Sequence, residues 1–376
     1  MAVISYLTTI QFDHGAIRLV PEELRALGIT KPLVVTDPGL VKNGLIDRLL
    51  TVLGNTVPRA VFDGTPSNPT EEALDRALAL YKSEGCDGLI GFGGGSSMDL
   101  AKCVGLMVTH PGKIADYALI HGGLAKLKAD AAPLIAIPTT SGTGSEVGRG
   151  AVITLRTGRK LAVIGPPMMP KRAICDPELT LGLPPGLTAA TGMDALAHCV
   201  ETYISPRVNP PAEAIALDGV GRIGKWLERA VSNGNDREAR WNMMMASMEG
   251  AMAFQKGLGA VHSLSHPLGA LQAPVLHHGT LNAVVMPAVL RFNKDHVGSK
   301  YDQLRSALGV GAGVELPAAI TGLNRRIGIP AGLGAMGVTP DILATMAEYA
   351  EGDHCTQTNP RPATKADFLE LYREAM

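Results

Sequence analysis

Long runs of like charge, paired CxxC cysteines and apolar stretches of membrane length are all missing from this chain of 376 residues. Lys and Arg number 34 against 35 Asp and Glu, a net charge of -1, and neither sign clusters. That balance gives no sign of a nucleic-acid groove or an anionic membrane surface, and a small molecule is the expected partner. The five cysteines, Cys86, Cys103, Cys175, Cys199 and Cys355, form no even-numbered framework. They read as reduced thiols of a cytoplasmic protein. Cys199 adjoins His198, but helical neighbours face about 100° apart, so it reads as core. The opening Met1-Ala2-Val3-Ile4-Ser5-Tyr6-Leu7 has no basic n-region, so no secretory signal is expected. No internal repeat or low-complexity segment stands out.

What is present fits two domains, each long enough to bury a core. Up to residue 180, short β-branched runs alternate with amphipathic stretches, as at Pro32–Thr36, Gly88–Phe92 and Pro133–Pro138. Near-continuous apolar strands of this kind belong to a parallel α/β sheet covered on both faces. Beyond Pro184-Pro185-Gly186 the chain becomes rich in Ala, Leu and Met at helical spacing. The expected architecture is an α/β domain over 1–180 and an all-helical domain over 181–376. The methionines around Met243-Met244-Met245 read as core filler.

Ligands of open α/β sheets bind beyond the carboxyl ends of the strands, so the turns there are read first for function. Gly91-Phe92-Gly93-Gly94-Gly95-Ser96-Ser97-Met98-Asp99-Leu100-Ala101-Lys102 runs from a strand into a helix. Its glycines allow a pyrophosphate to approach the helix N-terminus. It is neither GxGxxG nor a P-loop, and a plain glycine turn is the alternative. Asp37 closes another strand. It suits the hydroxyls of an adenosine ribose and repels a 2′-phosphate, favouring NAD over NADP; a cap formed with Pro38-Gly39 is the other reading. A third loop, Pro138-Thr139-Thr140-Ser141-Gly142-Thr143-Gly144-Ser145-Glu146, is dense in hydroxyls and glycines, and could hold diphosphate and nicotinamide.

The helical half carries a spaced set of metal-ligand residues. Asp194 and His198, and then His262 and His266, each lie four residues apart, one face of a helix. The pair His277-His278 follows. One carboxylate with several imidazoles suits iron(II) or zinc better than calcium or magnesium.

With the 93–96 glycines, Asp99, Lys102, the 138–146 loop and this ligand set in view, the chain resembles the iron-containing (group III) alcohol dehydrogenases along essentially its full length. That resemblance implies a dinucleotide-binding α/β domain, an all-helical metal domain and an active site in the cleft between them, the fold shared with dehydroquinate synthase. It implies NAD and iron(II) as cofactors, with zinc, cobalt or nickel as other occupants, and a homodimer or larger homo-oligomer. The metal ligands then fall on Asp194, His198, His262 and the histidine before Gly279, which is His278. Two departures bear on that choice: the segment from Gly269 to His278 is about two residues longer than in common members, and His277 stands beside His278. His266 lines the substrate pocket as a proton-relay candidate. The nucleotide is expected at Asp37, Asn68, Gly93, Gly94, Gly95, Ser96, Asp99, Thr139, Thr140, Thr143, Ser145, Lys160 and Leu179.

Where many members read Ser-Glu-Val-Thr, this chain reads Ser145-Glu146-Val147-Gly148-Arg149. An arginine there can clamp a substrate carboxylate in bidentate fashion. With the Leu276–Ala283 segment, it resembles the 4-hydroxybutyrate dehydrogenase branch and implies a short ω-hydroxy acid oxidised to its semialdehyde. The rivals are a maleylacetate reductase, a glycerol or diol dehydrogenase, and a lyase like dehydroquinate synthase. The intact ligand set speaks against the first, and the scarcity of basic residues against the last.

Overall fold

A computed structural model describes residues 8–376; the opening segment 1–7, read above for a targeting signal, lies outside the described residues. The chain divides into two compact units. One comprises Gly144–Thr180 and the stretch ending at Thr140; the other comprises Leu181–Met376 with the short piece Ser141–Thr143.

In the first unit six strands are all parallel, in the order β1 (Thr9–Phe12), β8 (Arg172–Cys175), β5 (Leu134–Pro138), β4 (Gly88–Gly93), β2 (Pro32–Val35) and β3 (Ala60–Phe62). Every residue of β2, β4 and β5 is buried. Side chains alternate across a strand, so Leu33, Val35 and Leu89 join one apolar cluster while Val34, Ile90, Phe92, Ile135 and Ile137 join another. The three apolar runs singled out in the sequence are thus the central strands of a doubly covered sheet. A separate antiparallel pair, β6 (Gly150–Thr154) and β7 (Lys160–Ile164), was not anticipated. Its half-buried alternation and its Gly158 turn, at φ +80°, are weak signals beside the buried runs.

In the second unit the Pro185–Ile204 helix is buried without a break from Thr188 to Ile204. A helix apolar on every side sits inside a bundle, and Pro210–Ser232, Arg237–Ala253 and His278–Asn293 pack around it. Met243, Met244 and Met248 are buried there as packing. The hydroxyl-rich loop, assigned wholly to the first domain from sequence, places Ser141–Thr143 with the helices. A Cβ on Gly142 would lie 2.7 Å from that of Thr191, so glycine permits this close approach.

One acidic contact in the bundle makes stability depend on pH. Glu249 of the Arg237–Ala253 helix faces Asp218 and Arg222 of its neighbour. Burial, aided by Asp218, raises its pKa to about 8. Between the ordinary glutamate range and that value the folded protein holds a proton that the unfolded chain releases, so stability falls as pH rises. Glu249→Gln should flatten this fall. Thermal midpoints taken from about pH 5 to about pH 8 test it; an equal decline in both proteins would refute the assignment.

Candidate metal centre

The buried Pro185–Ile204 helix brings Asp194 and His198 onto one face, and two further helices deliver histidines to the same point. His262 comes from Ala260–Leu268 and His278 is the first residue of His278–Asn293. The Nε2 atoms of His198, His262 and His278 lie 3.9, 3.9 and 3.6 Å from Asp194 Oδ1. The ligand atoms of Asp194, His262 and His278 all fall within 4.8 Å of one another. Such proximity needs helices in near contact. Gly279 supplies it, since a Cβ there would meet the Ala190 carbonyl oxygen at 2.2 Å.

A layer of partners fixes these groups. Glu201, two turns beyond Asp194 on the same helix, receives the His262 Nδ1 proton at 2.6 Å and the Val261 N–H at 2.6 Å. It therefore caps the short helix and sets the tautomer that leaves Nε2 as a lone-pair donor. Asn282 Nδ2 donates to Asp194 Oδ1 at 2.8 Å and lies 3.3 Å from His262 Nε2 and 3.2 Å from His278 Nε2. Burial pushes His198 down to about 4 against the pull of Asp194, so its imidazole is neutral at physiological pH. For His262, burial opposes protonation, yet Glu201 and Asp194 outweigh it and raise the pKa.

This donor set fits a divalent transition metal. The Asp194 side chain is 3% exposed, and among the described residues no Lys or Arg pairs with it. A buried carboxylate so placed calls for a cation, and three imidazole nitrogens with one carboxylate oxygen match iron(II) or zinc.

The adjacent histidines separate clearly. His277 is exposed and occupies the N-cap of the His278–Asn293 helix, while His278 turns its ring to Asp194. His266 lies beside this cluster, its ring stacked on His278 at 5.5 Å and edge-on to His262 at 5.8 Å. Its Nδ1 is 2.9 Å from Asp353 Oδ2.

In the α/β unit, β4 ends in Gly93 and the Gly95–Thr109 helix begins at once. Gly93 has φ +152°, and a Cβ there would lie 2.6 Å from Ser97 Oγ. The helix has Gly94 as N-cap and no side-chain cap, so Gly95 and Ser96 present backbone N–H groups as an anion site. Thr139 N–H donates to the Gly93 carbonyl at 3.0 Å, and Thr140 flanks Gly94. Lys160 Nζ donates to Asn68 Oδ1 at 2.8 Å. Leu179 is buried and Thr143 half-buried. Asp37 Oδ1 accepts from the Gly39 and Leu40 N–H groups, the capping geometry left open above. Asp99 faces inward and accepts from Ser145 Oγ at 2.6 Å and Val152 N–H at 2.8 Å. Lys102 donates to the Gly148 and Gly150 carbonyls at 2.9 and 2.8 Å. Asp99 and Lys102 thereby brace the segment carrying Arg149, which is half-buried and has no carboxylate partner among the described residues.

Residues 8–177 match the family described as iron-containing alcohol dehydrogenase, and residues 188–376 match its C-terminal region. The chain belongs to the iron-containing alcohol dehydrogenase family. It is an oxidoreductase that interconverts an alcohol and a carbonyl compound. It is similar to a 4-hydroxybutyrate dehydrogenase of Cupriavidus necator, at 53% identity over the full length of both chains. A solved 1,3-propanediol oxidoreductase superposes with a TM-score of 0.94 at 36% identity, covering both chains completely. A sulfoacetaldehyde reductase from Bifidobacterium kashiwanohense, solved with NAD+, gives 0.89 at 28% identity, covering 100% of this chain and 98% of its own.

Glu201, Asn282 and Asp353 were not singled out from the sequence. Glu201 alone left a usable trace there, seven residues after Asp194 and so on its helical face. Removing its charge should weaken metal affinity about 10–100-fold, the usual cost of losing the partner of a ligating histidine. Chelator competition on Glu201→Gln checks this, and wild-type retention would show that Glu201 serves only the helix cap.

Proposed function

We propose that this enzyme oxidises a short ω-hydroxy acid of the 4-hydroxybutyrate class to its semialdehyde with NAD+ and iron(II), in the cytoplasm and as a homo-oligomer. The observation that carries the substrate reading is Arg149: a half-buried guanidinium without a carboxylate partner among the described residues, on a segment braced by Asp99 and Lys102. The full-length similarity to a 4-hydroxybutyrate dehydrogenase supports the same class. Five free, buried cysteines suit a reducing compartment, and no helix among the described residues is long and apolar enough to cross a membrane.

A divalent ion at Asp194, His198, His262 and His278 supplies Lewis acidity that eases loss of the alcohol proton, and NAD+ supplies the hydride acceptor. The protein's own groups do the rest. Glu201 and Asn282 hold the donor atoms in place, so little reorganisation is needed during the reaction. His266, held through Nδ1 by Asp353, keeps Nε2 for accepting the proton that the alcohol loses. The balance is one alcohol and NAD+ giving one aldehyde, NADH and a proton. Arg149 binds the carboxylate at the far end of the substrate, an interaction butanol cannot make.

Arg149→Ala should lower kcat/KM for 4-hydroxybutyrate about 10- to 100-fold, as expected for losing a charge-assisted hydrogen bond, while leaving butanol nearly unchanged. Steady-state rates with both substrates measure this, and an unaltered preference would sink the clamp. For the nucleotide, Asp37→Gly should raise the use of NADPH relative to NADH. If NADPH remains unused, Asp37 is only the helix cap.

A further inference from the structure

Close to the four ligands lies a second group of donor side chains with a different chemical character. His266, Asp353, His354 and Cys355 each offer an atom, and these atoms all lie within 4.8 Å of one another. Two segments supply them: the Ala260–Leu268 helix, and the turn leading into His354–Thr358, where Asp353 accepts the Cys355 N–H at 2.8 Å. His266 Nδ1 is 2.9 Å from Asp353 Oδ2, His354 Nδ1 is 3.5 Å from Asp353 Oδ1, and Cys355 Sγ is 3.5 Å from His354 Nε2. Neighbouring ligands of a tetrahedral zinc-type ion stand about 3.3–3.6 Å apart, given its bond lengths, so drawing one atom of each group inward and rotating the two imidazole rings would close the four around one ion. Among the described residues no Lys or Arg pairs with Asp353, and only imidazoles offset its charge.

We infer that His266, Asp353, His354 and Cys355 form a second metal site, selective for a zinc-class ion, whose occupation inhibits the enzyme. A thiolate, two imidazoles and one carboxylate favour zinc, cobalt or cadmium over magnesium and calcium. Binding releases the Cys355 thiol proton to solvent as the sulfur–metal bond forms, and the His266–Asp353 hydrogen bond gives way to coordination. The inhibitory part rests on the proton-carrying role proposed for His266, because a coordinated imidazole cannot accept the substrate's proton. The binding part does not depend on that role.

Sulfur distinguishes the two sites, since Asp194, His198, His262 and His278 include no thiol. Iron(II)-loaded enzyme titrated anaerobically with cobalt(II) should develop a thiolate-to-cobalt charge-transfer absorption in the near ultraviolet as the metal bound per chain doubles. Cys355→Ser should lose that absorption, and His354→Gln should weaken the cobalt affinity. Excess zinc(II) should abolish turnover of the wild type but not of whatever activity Cys355→Ser retains. Absence of the absorption from the wild type overturns the site without recourse to any variant, as does its persistence in Cys355→Ser. If the absorption appears as expected but zinc inhibits both proteins equally, the site binds metal and its inhibitory role is overturned.

Discussion

A carboxylate that pairs with no Lys or Arg among the described residues governs the helical unit. Asp194 is buried near the middle of a helix that is itself enclosed, and its neighbours are three imidazole nitrogens and one amide. Placing an anion in that interior is costly unless a cation accompanies it. The surrounding features serve that requirement: Gly279 lets two helices meet, Glu201 orients His262, and burial keeps His198 neutral. The four side chains come from three helices, so they converge only when those helices pack.

The two units solve different problems with different backbone geometry. In the α/β unit, strand ends and one uncapped helix N-terminus expose backbone donors suited to a diphosphate, and side chains such as Asp99 and Lys102 face inward to hold the loop chain together. In the helical unit side chains converge to form the donor cluster. Arg149 lies on the braced loop segment, so this half-buried charged group has a rigid base without occupying a regular element.

Periodicity made much of this legible in the sequence. The buried strands β2, β4 and β5 showed as apolar runs, and the i, i+4 spacing of Asp194 with His198 and of His262 with His266 marked helix faces. Spacing did not show which carboxylate each histidine meets: His262 turns its Nε2 toward Asp194 while His266 meets Asp353, a residue 87 positions away. Contacts of that range leave no local pattern, and Asn282, 88 positions from Asp194, was equally hidden. The choice between His277 and His278 turned on where the helix begins, since an N-cap residue and the first helical residue point differently. Asp37 and Asp99 show the converse limit. An acidic side chain at a strand end or in a glycine-rich motif can face a ligand or its own backbone, and here both accept backbone N–H groups.

The convergence of Asp194, His198, His262 and His278 on one ion is tested most directly by X-ray absorption at the iron edge. The protein should carry a single equivalent of iron(II). The spectrum should show a first shell of imidazole nitrogen and carboxylate oxygen, with the multiple scattering of three histidine rings and no sulfur. A sulfur scatterer, or fewer than three imidazoles, would contradict that arrangement.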